Sequence, residues 1–287
     1  MHKPVTLRSA DLRCDIKPEL GGCIAGLWLG GIPVLRSTPM ADLHSVRQAA
    51  SYPLVPFSNR IGRATLQWQG TDHPLVKNWA PSPHAIHGVG WERPWTVLDA
   101  NETFALLSYE HQADASWPFD FDSSQAFKLE ANALELSLSI TNQSALTVPV
   151  GLGWHPFFVK RADSQVQFEA TGRWEMGRDK LPTHRAASTG LNTPCATLDV
   201  DHCFDGWSGT VQLRDRVLNM RVRSSLSRLV VYTTPDSDSI AIEPVSHVND
   251  AVNRVAQLGS SAQDLGVCIL QPEQTFTCAM RIEVEHV

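Results

Sequence analysis

The segment LELSLSI, residues 134–140, decides the fold class of this chain. Leucine and isoleucine occupy every second position, and Glu135, Ser137 and Ser139 lie between them. Because the side chains of a β-strand point alternately to its two faces, this period of two predicts a strand with one buried and one solvent-facing side. The turn-forming residues Asn-Gln-Ser at 142–144 mark its expected end.

Similar patterns occur on both sides of this segment. The alternation recurs near the C-terminus, at Phe276, Cys278, Met280, Ile282 and Val284. Shorter apolar runs predict further strands at residues 104–110, 211–213, 218–222 and 229–233. Turns rich in Gly, Pro, Asn and Asp separate these runs, so the sequence predicts an antiparallel all-β protein.

Helical signals are few. The Asn-Asp pair at residues 249–250 is suited to cap a short helix with apolar positions Val252, Val255 and Leu258, and Gly259 would end that helix. No repeat, low-complexity tract or Gly/Ser linker divides the chain. We therefore expect a single domain over residues 1–287.

The composition excludes several classes of protein. The chain has 287 residues, 43% hydrophobic and 19% charged, so it is long and apolar enough to bury a substantial core. Its 24 basic and 30 acidic residues give a net charge of −6, which provides no general attraction to nucleic acid or anionic lipid. The longest uncharged apolar stretch, around residues 146–158, is too short and too rich in Gly and Pro to span a bilayer. Neither nucleic acid nor a membrane is an expected partner.

The cysteines and the first residues predict a cellular location. Six cysteines lie at positions 14, 23, 195, 203, 268 and 278, with no CxxC pair and no histidine at zinc-finger spacing. The first thirteen residues include Lys3, Arg8, Asp11 and Arg13 but no apolar segment typical of a secretory signal. Reduced thiols, a cytoplasmic location and no metal site are the predictions.

Glu243 is a candidate catalytic group because it interrupts an apolar run, where burial shifts pKa values. It follows the apolar residues 239–242, and Pro244 after it is expected to end the strand. A carboxylate at a strand end can face a cleft, where partial burial raises its pKa towards that of a useful general base. The alternative is a surface carboxylate just beyond the strand.

His155 is a second candidate, placed between Trp154 and the phenylalanines at 157 and 158. Imidazole can donate or accept a proton near neutral pH. Its aromatic neighbours suit the apolar face of a sugar or of another ring. The alternative is a core histidine hydrogen-bonded to the backbone.

Further polar residues interrupt apolar or glycine-rich stretches. His84 and His87 are three positions apart but lack a nearby third ligand, so hydrogen bonding is favoured over a metal pair. The guanidinium of Arg60 has donors in a fixed arrangement that suits a carboxylate or vicinal hydroxyls. Arg60 can therefore belong to a structural ion pair or to a binding site. Asp201 stands beside His202 and carries no signal alone. No dinucleotide fingerprint, phosphate-binding loop or GxSxG motif occurs.

Six short segments nevertheless follow one another in a recognisable order. They are Asn59-Arg60-Ile61, Ile86-His87-Gly88, His155-Pro156-Phe157-Phe158, Asp201-His202-Cys203-Phe204, the stretch from Glu243 to Asp250-Ala251-Val252-Asn253, and Leu270-Gln271-Pro272-Glu273. Together they resemble the motifs of the aldose 1-epimerase (galactose mutarotase) family. The matches extend over most of the chain, and their shared order carries the resemblance.

This resemblance implies a fold, an activity and a set of site residues. The fold is a β-supersandwich, a large antiparallel β-sandwich with a sugar site on its concave face. The activity is the cofactor-free interconversion of the α and β anomers of a free aldose, so the partner is a small monosaccharide. Glu243 would be the general base and His155 the general acid. The residues that would hold sugar hydroxyls are Arg60, His87 and Asp201, with Asn59 supporting Arg60.

Two positions depart from the family pattern. Val230 stands where better-known members carry a substrate-binding glutamine. Glu273 replaces the glycine of a late turn and is a rival candidate base.

The proposed role of His155 requires a protonated ring. Its aromatic neighbours lower the pKa of a histidine, and a nearby Asp201 would favour the cation.

Three other functions compete with an epimerase. A non-catalytic sugar-binding module would keep Arg60 and the aromatic residues but would not require both Glu243 and His155. A mutarotase for phosphorylated sugars needs a basic cluster, for which Arg60, Arg63 and Arg93 are the candidates. A polysaccharide lyase or hydrolase would need an extended groove and usually paired carboxylates.

Overall fold

Strands dominate the computed structural model, which describes residues 4–258, 261 and 264–287. They account for 52% of the chain, and helices for 5%, which confirms the all-β prediction. The predicted antiparallel arrangement is confirmed as well, since the strands of both large sheets pair antiparallel.

The described residues form 27 strands, most of them short. The first nine are β1 (Val5–Ser9), β2 (Leu12–Lys17), β3 (Cys23–Leu29), β4 (Ile32–Pro33), β5 (Pro53–Leu54), β6 (Arg60–Ile61), β7 (Thr65–Trp68), β8 (Thr71–Pro74) and β9 (Ala85–Ile86). The next nine are β10 (Thr96–Ala100), β11 (Phe104–His111), β12 (Phe121–Leu129), β13 (Ala133–Asn142), β14 (Val148–Val150), β15 (Gly153–Trp154), β16 (Phe157–Val159), β17 (Gln165–Phe168) and β18 (Gly172–Met176). The last nine are β19 (Pro182–Ala187), β20 (Leu191–Pro194), β21 (Val200–Asp205), β22 (Thr210–Arg214), β23 (Leu218–Ser224), β24 (Arg228–Thr233), β25 (Ser239–Val245), β26 (Cys268–Leu270) and β27 (Thr275–His286). Single 3-10 turns occur at Val46–Gln48, Gly62–Ala64 and Gly90–Glu92, and helix α1 at Ala251–Leu258.

Two large sheets contain most of these strands. One has nine strands in the order β10-β11-β12-β13-β27-β23-β22-β17-β20. The other has eight, in the order β19-β18-β21-β24-β25-β15-β5, with β16 also paired to β25. A four-stranded sheet follows the order β1-β2-β3-β4, and β14-β26, β6-β9 and β7-β8 form small ribbons.

Each strand that the sequence predicts is present. The alternating segment at residues 134–140 lies in β13, and the second alternating segment lies in β27. The four shorter runs lie in β11, β22, β23 and β24. β13 is paired with β12 on one side and with β27 on the other, which places it in the middle of the nine-stranded sheet.

Both large sheets contribute their apolar faces to one hydrophobic cluster. The leucines of β13 pack in it together with Ile240 and Ile242 of β25, which are fully buried. Burying a side chain of this size favours folding by about 1.5–3 kcal/mol. Because side chains alternate along a strand, Glu243 faces away from this cluster.

The predicted strand end at Glu243 is wrong, because β25 continues through Pro244. Proline lacks a backbone N–H and disrupts a sheet only where that donor is needed. The N–H groups of Ile242 and Ser246, on the same edge as residue 244, donate to the carbonyls of residues 156 and 152. Between these acceptors the neighbouring strand changes from β16 to β15, so Pro244 lies beside a gap in the pairing.

Helix α1 is present as predicted, and the predicted stop at Gly259 lies outside the described residues. The Asp250 side chain links this helix to the segment at Gly62. Its Oδ1 accepts hydrogen bonds from the backbone N–H of Gly62 and from the side-chain amide of Asn253, each at 2.8 Å. The helix is thereby connected to the chain directly after Arg60.

Neither disulfide bonds nor membrane-spanning helices occur in the described part of the chain. All six cysteines lie in the described part of the chain and are unbridged. Among the residues that the structure describes, none of the helices has the length and apolar character needed to cross a bilayer. Nor do the described His, Cys, Asp and Glu side chains come together in groups of three or more that could hold a metal ion.

Candidate active site

One cleft brings together the six residues to which the family resemblance assigned catalytic or binding roles. The residues are Asn59, Arg60, His87, His155, Asp201 and Glu243. The cleft has a volume of about 440 Å³, which is within the range of small-molecule sites. It opens on the face of the eight-stranded sheet that is directed away from the hydrophobic cluster between the sheets.

The pairing register of this sheet explains how distant segments meet. One row across β21, β24, β25 and β16 consists of Asp201, Tyr232, Ala241 and Phe157. Residues two positions apart in a strand share a face, so the neighbouring row contains Val230 and its partner Glu243. Segments far apart in sequence therefore present their side chains to the same cleft.

Glu243 and His155 are in direct contact in this cleft. Glu243 Oε1 lies 3.2 Å from His155 Nε2, and the two residues are only 2% and 8% exposed. Asp201, which the sequence suggested as the partner of His155, accepts a hydrogen bond from Lys180 Nζ at 2.9 Å. The carboxylate beside the imidazole is thus that of Glu243 and not the expected Asp201.

Burial determines the protonation of this pair. It raises the pKa of Glu243 well above its usual value, and the negative charge of Asp201 adds to the effect. It lowers the pKa of His155 well below its usual value, with His87 and Arg36 adding to that shift. Both shifts oppose a charge in a site screened from water. Burial therefore favours the uncharged forms of the pair, a protonated Glu243 and a neutral His155.

Aromatic rings surround the imidazole of His155. Phe157 stacks on it with ring centroids 4.3 Å apart, and the Tyr52 ring lies 4.9 Å away. His155 Nδ1 and Glu243 Oε2 are buried without a hydrogen-bond partner among the described residues. Because buried polar atoms are almost always paired, these two are suited to contact a bound polar molecule.

Asn59, Arg60 and His87 form a second polar group in the cleft. Asn59 Oδ1 accepts a hydrogen bond from Arg60 Nη1 at 2.9 Å, and the Asn59 backbone N–H donates to His87 Nδ1 at 3.2 Å. Because Nδ1 is an acceptor, the neutral His87 ring carries its proton on Nε2 and can donate it to a hydroxyl. Burial lowers the pKa of His87 to about 3, so the ring is neutral at neutral pH.

The backbone around this group is held in an unusual conformation. Asn59 and His87 have φ values of 54° and 63°, in the left-handed region that non-glycine residues rarely adopt. His87 N–H donates to the Asn59 carbonyl at 2.8 Å, and Asp250 N–H donates to the Arg60 carbonyl at the same distance. Strained backbone of this kind persists where surrounding contacts fix it, and it clusters at functional sites.

Sequence reasoning missed part of the lining. The additional residues are Arg36, Arg47, Tyr52, Trp79, Lys180 and Tyr232. Tyr232 carried a usable signal, because it is a single polar-tipped ring in the apolar run that forms β24, whereas Tyr52 lies just before β5. The other four lie in loops and turns whose sequence has no distinguishing pattern. Val230 lines the cleft as an apolar residue.

Several other candidates do not line the cleft, namely Arg63, Arg93, His84 and Glu273. His84 Nδ1 accepts a hydrogen bond from the Arg63 backbone N–H, which agrees with the hydrogen-bonding role predicted for His84. Arg93 pairs with Asp114 at 3.0 Å. Glu273 is exposed in a turn with φ 63°, a conformation that favours glycine.

Comparison with known proteins identifies the family of this chain. The family model described as aldose 1-epimerase matches residues 4–282. The chain belongs to the aldose 1-epimerase family. The resemblance that the short motifs indicated is therefore confirmed.

Relatives of this aldose 1-epimerase family member share its whole length. The uncharacterized protein YphB of Escherichia coli (strain K12) is 28% identical over 306 residues, which cover 98% of each chain. A solved structure from Escherichia coli K12, provisionally assigned as an aldose 1-epimerase, is 26% identical over 99% of each chain with a TM-score of 0.88. A galactose mutarotase-like protein from Clostridium acetobutylicum has a TM-score of 0.87 at 19% identity, covering 100% of this chain and 96% of that one. The fold is thus the galactose mutarotase-like β-sandwich that the sequence predicted.

Proposed function

We propose that this protein interconverts the α and β anomers of an aldose and needs no cofactor. The observation that carries the proposal is the buried contact between Glu243 and His155 in a cleft of small-molecule size. A carboxyl group and an imidazole in contact can remove and supply a proton within one site. A sugar-binding module would need hydroxyl-binding groups and aromatic rings but not such a pair.

Anomer exchange requires two proton transfers and the cleavage of one bond. The C1 hydroxyl loses its proton while the ring oxygen O5 gains one, and the C1–O5 bond opens to give an aldehyde. Rotation about the C1–C2 bond then presents the other carbonyl face to the O5 hydroxyl. Reclosure returns both protons, so nothing is consumed and the protein regains its starting state.

Glu243 is the proposed general base and His155 the proposed general acid. In the ligand-free protein burial favours the shared proton on Glu243, and its transfer over the 3.2 Å contact gives the carboxylate and imidazolium that these roles require. A sugar hydroxyl that donates to Glu243 Oε2 favours the carboxylate and therefore promotes this transfer. Each of the two groups is expected to accelerate the reaction about 10²- to 10⁴-fold.

The remaining cleft residues are proposed to bind and orient the sugar. Arg60 and the Nε2–H of His87 are donors for hydroxyl oxygens, and the carboxylate of Asp201 is an acceptor. The apolar C–H face of a sugar suits the ring of Tyr232. Tyr232 is 42% exposed at the cleft, so its ring is accessible to a bound molecule.

The rate is expected to show a broad pH plateau. The one-proton state is lost on the acid side when His155 gains a second proton, and on the alkaline side when Glu243 loses the shared proton. Burial lowers the pKa that sets the first limit and raises the pKa that sets the second, so the acid limit is expected below pH 6.5 and the alkaline limit above pH 4.5. The pH dependence of kcat/KM measures both limits as properties of the pair. An acid limit at or above pH 6.5, or an alkaline limit at or below pH 4.5, would contradict these shifts.

Anomer exchange at equilibrium is the direct test of the proposed function. Magnetisation-transfer NMR would follow exchange between the α and β signals of glucose, galactose, xylose, arabinose and fucose, with and without protein. We expect faster exchange for at least one aldose with the wild-type protein and no acceleration with Glu243→Gln. Calorimetric binding of a sugar without any acceleration would identify a binding module instead.

A further inference from the structure

Three arginines in the cleft lack an acidic partner. Arg36, Arg47 and Arg60 all line it, and none has a carboxylate within 4.0 Å among the residues that the structure describes. The two carboxylates of the cleft are already engaged, Glu243 with His155 and Asp201 with Lys180. The cleft therefore has an excess of positive charge, although the whole chain has a net charge of −6.

Arg36 is held in place by neutral groups. Its guanidinium carbon lies 3.7 Å from the centroid of the Phe157 ring, and its Nη2 donates to the carbonyls of Arg47 and Ala49 at 2.9 and 2.7 Å. Its Nε is buried without a hydrogen-bond partner in the described structure. Burial lowers the pKa of this arginine, yet the guanidinium stays charged at neutral pH. A partly buried, unneutralised cation is costly unless an anion compensates it.

Arg47 is held in a similar way at the mouth of the cleft. Its guanidinium carbon lies 3.8 Å from the centroid of the Trp79 ring, and its Nη2 lies 3.5 Å from the carbonyl of Asn78. Stacking on an aromatic ring fixes the plane of a guanidinium but leaves its edge N–H groups available. Arg47 therefore presents edge N–H groups, and Arg36 retains those of Nη1, since its Nη2 donates to two carbonyls. Neither arginine forms an ion pair within 4.0 Å in the described part of the chain.

These two arginines lie close to the reacting pair. The Phe157 ring that contacts Arg36 also stacks on His155, with centroids 4.3 Å apart. Arg36 and Arg47 are joined through the hydrogen bond from Arg36 Nη2 to the Arg47 carbonyl. Both arginines line the same cleft as Glu243 and His155, so a group attached to the sugar away from C1 can face them while C1 lies at the pair.

We propose, on the basis of the function proposed above, that the substrate is an aldose bearing an oxyanion and that Arg36 and Arg47 bind this anion. Carboxylate, phosphate and sulfate groups all accept two parallel hydrogen bonds from a guanidinium. Anomer exchange at C1 leaves such a group unchanged, so the anion contributes to binding and positioning only. Of the three sequence-based candidates for a basic cluster, Arg60 lines the cleft, whereas Arg63 and Arg93 do not.

Matched neutral and anionic sugars test this proposal. Glucose would be compared with glucuronate, glucose 6-phosphate and glucose 6-sulfate, and galactose with its corresponding acids, by the same NMR exchange measurement. We expect kcat/KM to be at least roughly tenfold higher for one of the anions than for its neutral parent, since hydrogen bonds to charged groups have this magnitude. The preference should decrease with added salt, because Arg47 is exposed. The member of the series that reacts fastest identifies the anion as carboxylate, phosphate or sulfate.

Arg47→Gln is the variant that links the preference to this cluster. It should lower the ratio of anionic to neutral kcat/KM by roughly tenfold, mainly through KM. Arg36→Lys, which keeps the charge but loses the planar donors, should lower the same ratio. Arg216→Gln is the matched control, because that side chain is 90% exposed outside the cleft and its loss should leave the ratio unchanged.

The outcomes separate this proposal from the function on which it depends. Equal or lower kcat/KM for every anion, with neutral sugars accelerated and Glu243 required, would overturn the anion proposal and leave the epimerase standing. A preference that Arg47→Gln and Arg36→Lys do not reduce would also overturn it. No acceleration for any sugar of either kind would overturn the proposed function itself.

Discussion

Glu243→Gln is expected to lower kcat for anomer exchange by about 10²- to 10⁴-fold while changing sugar affinity little. The amide has nearly the size and shape of the carboxyl group but cannot accept the proton of the C1 hydroxyl. It can still form a hydrogen bond with His155, so the cleft should retain its geometry. Initial rates of anomer exchange by NMR, combined with calorimetric affinities, would separate the two effects.

Glu273→Gln is the matched control for this variant. It makes the same chemical change at the rival candidate base, which is exposed in a turn outside the cleft, and should leave kcat unchanged. Wild-type turnover in Glu243→Gln would show that Glu243 is not the base, and a loss in Glu273→Gln would transfer the role to Glu273.

Thermal unfolding should show that Glu243→Gln is folded. A carboxyl group whose pKa is raised by folding stabilises the protein fully below its unfolded pKa, and this contribution is lost as pH rises through the folded pKa. Glutamine does not titrate, so the variant avoids this loss. Its Tm at pH 8 should therefore equal or exceed that of the wild type, and a marked decrease would attribute the lost activity to unfolding.

His155→Asn is expected to lower kcat by a similar factor of about 10²- to 10⁴-fold. Asparagine keeps a polar side chain in the aromatic surroundings but cannot deliver a proton to O5. The fall in rate at low pH should also disappear, because it arises when the neutral His155 ring gains a second proton and becomes an imidazolium. The alkaline limb, set by Glu243, should remain.

His286→Asn is the control for this variant. His286 lies at the exposed end of β27, so the same substitution there should change neither kcat nor the pH profile. An unchanged acid limb in His155→Asn would show that another group sets it. Full activity in His155→Asn would remove the general-acid role from this residue.

The fold was predictable because one physical signal repeats along the chain. Alternation at residues 134–140 and 276–284 reflects strands with one face in the core, and both segments lie side by side in the nine-stranded sheet. The pairing order was not predictable, because hydrogen bonds between backbones carry no residue-specific signal. The extension of β25 past Glu243 was missed because a proline is tolerated only where the neighbouring strand changes, which is a property of the tertiary structure.

The candidate site was predictable where its residues interrupt apolar segments. Glu243 and His155 both do so, and the structure places them in contact. The partner assigned to His155 was wrong because Asp201 lies in a row with Tyr232, one row away from Glu243, and pairs with Lys180. Arg36 and Arg47 were missed because no motif marks either residue, and their positions depend on aromatic rings distant in sequence.

Strands and turns contribute different residues to the cleft. Glu243, Asp201 and Phe157 project from paired strands whose positions the core determines, whereas Arg36, Arg47, Trp79 and Lys180 belong to turns between strands. Turns tolerate insertions and exchanges that strands do not. Grafting the segments around residues 36–47, 78–80 and 177–181 from one relative to another should therefore transfer substrate choice while the proton-transfer machinery stays intact. Strand positions thus hold the proposed base, and the turns supply the arginines that are proposed to select the substrate.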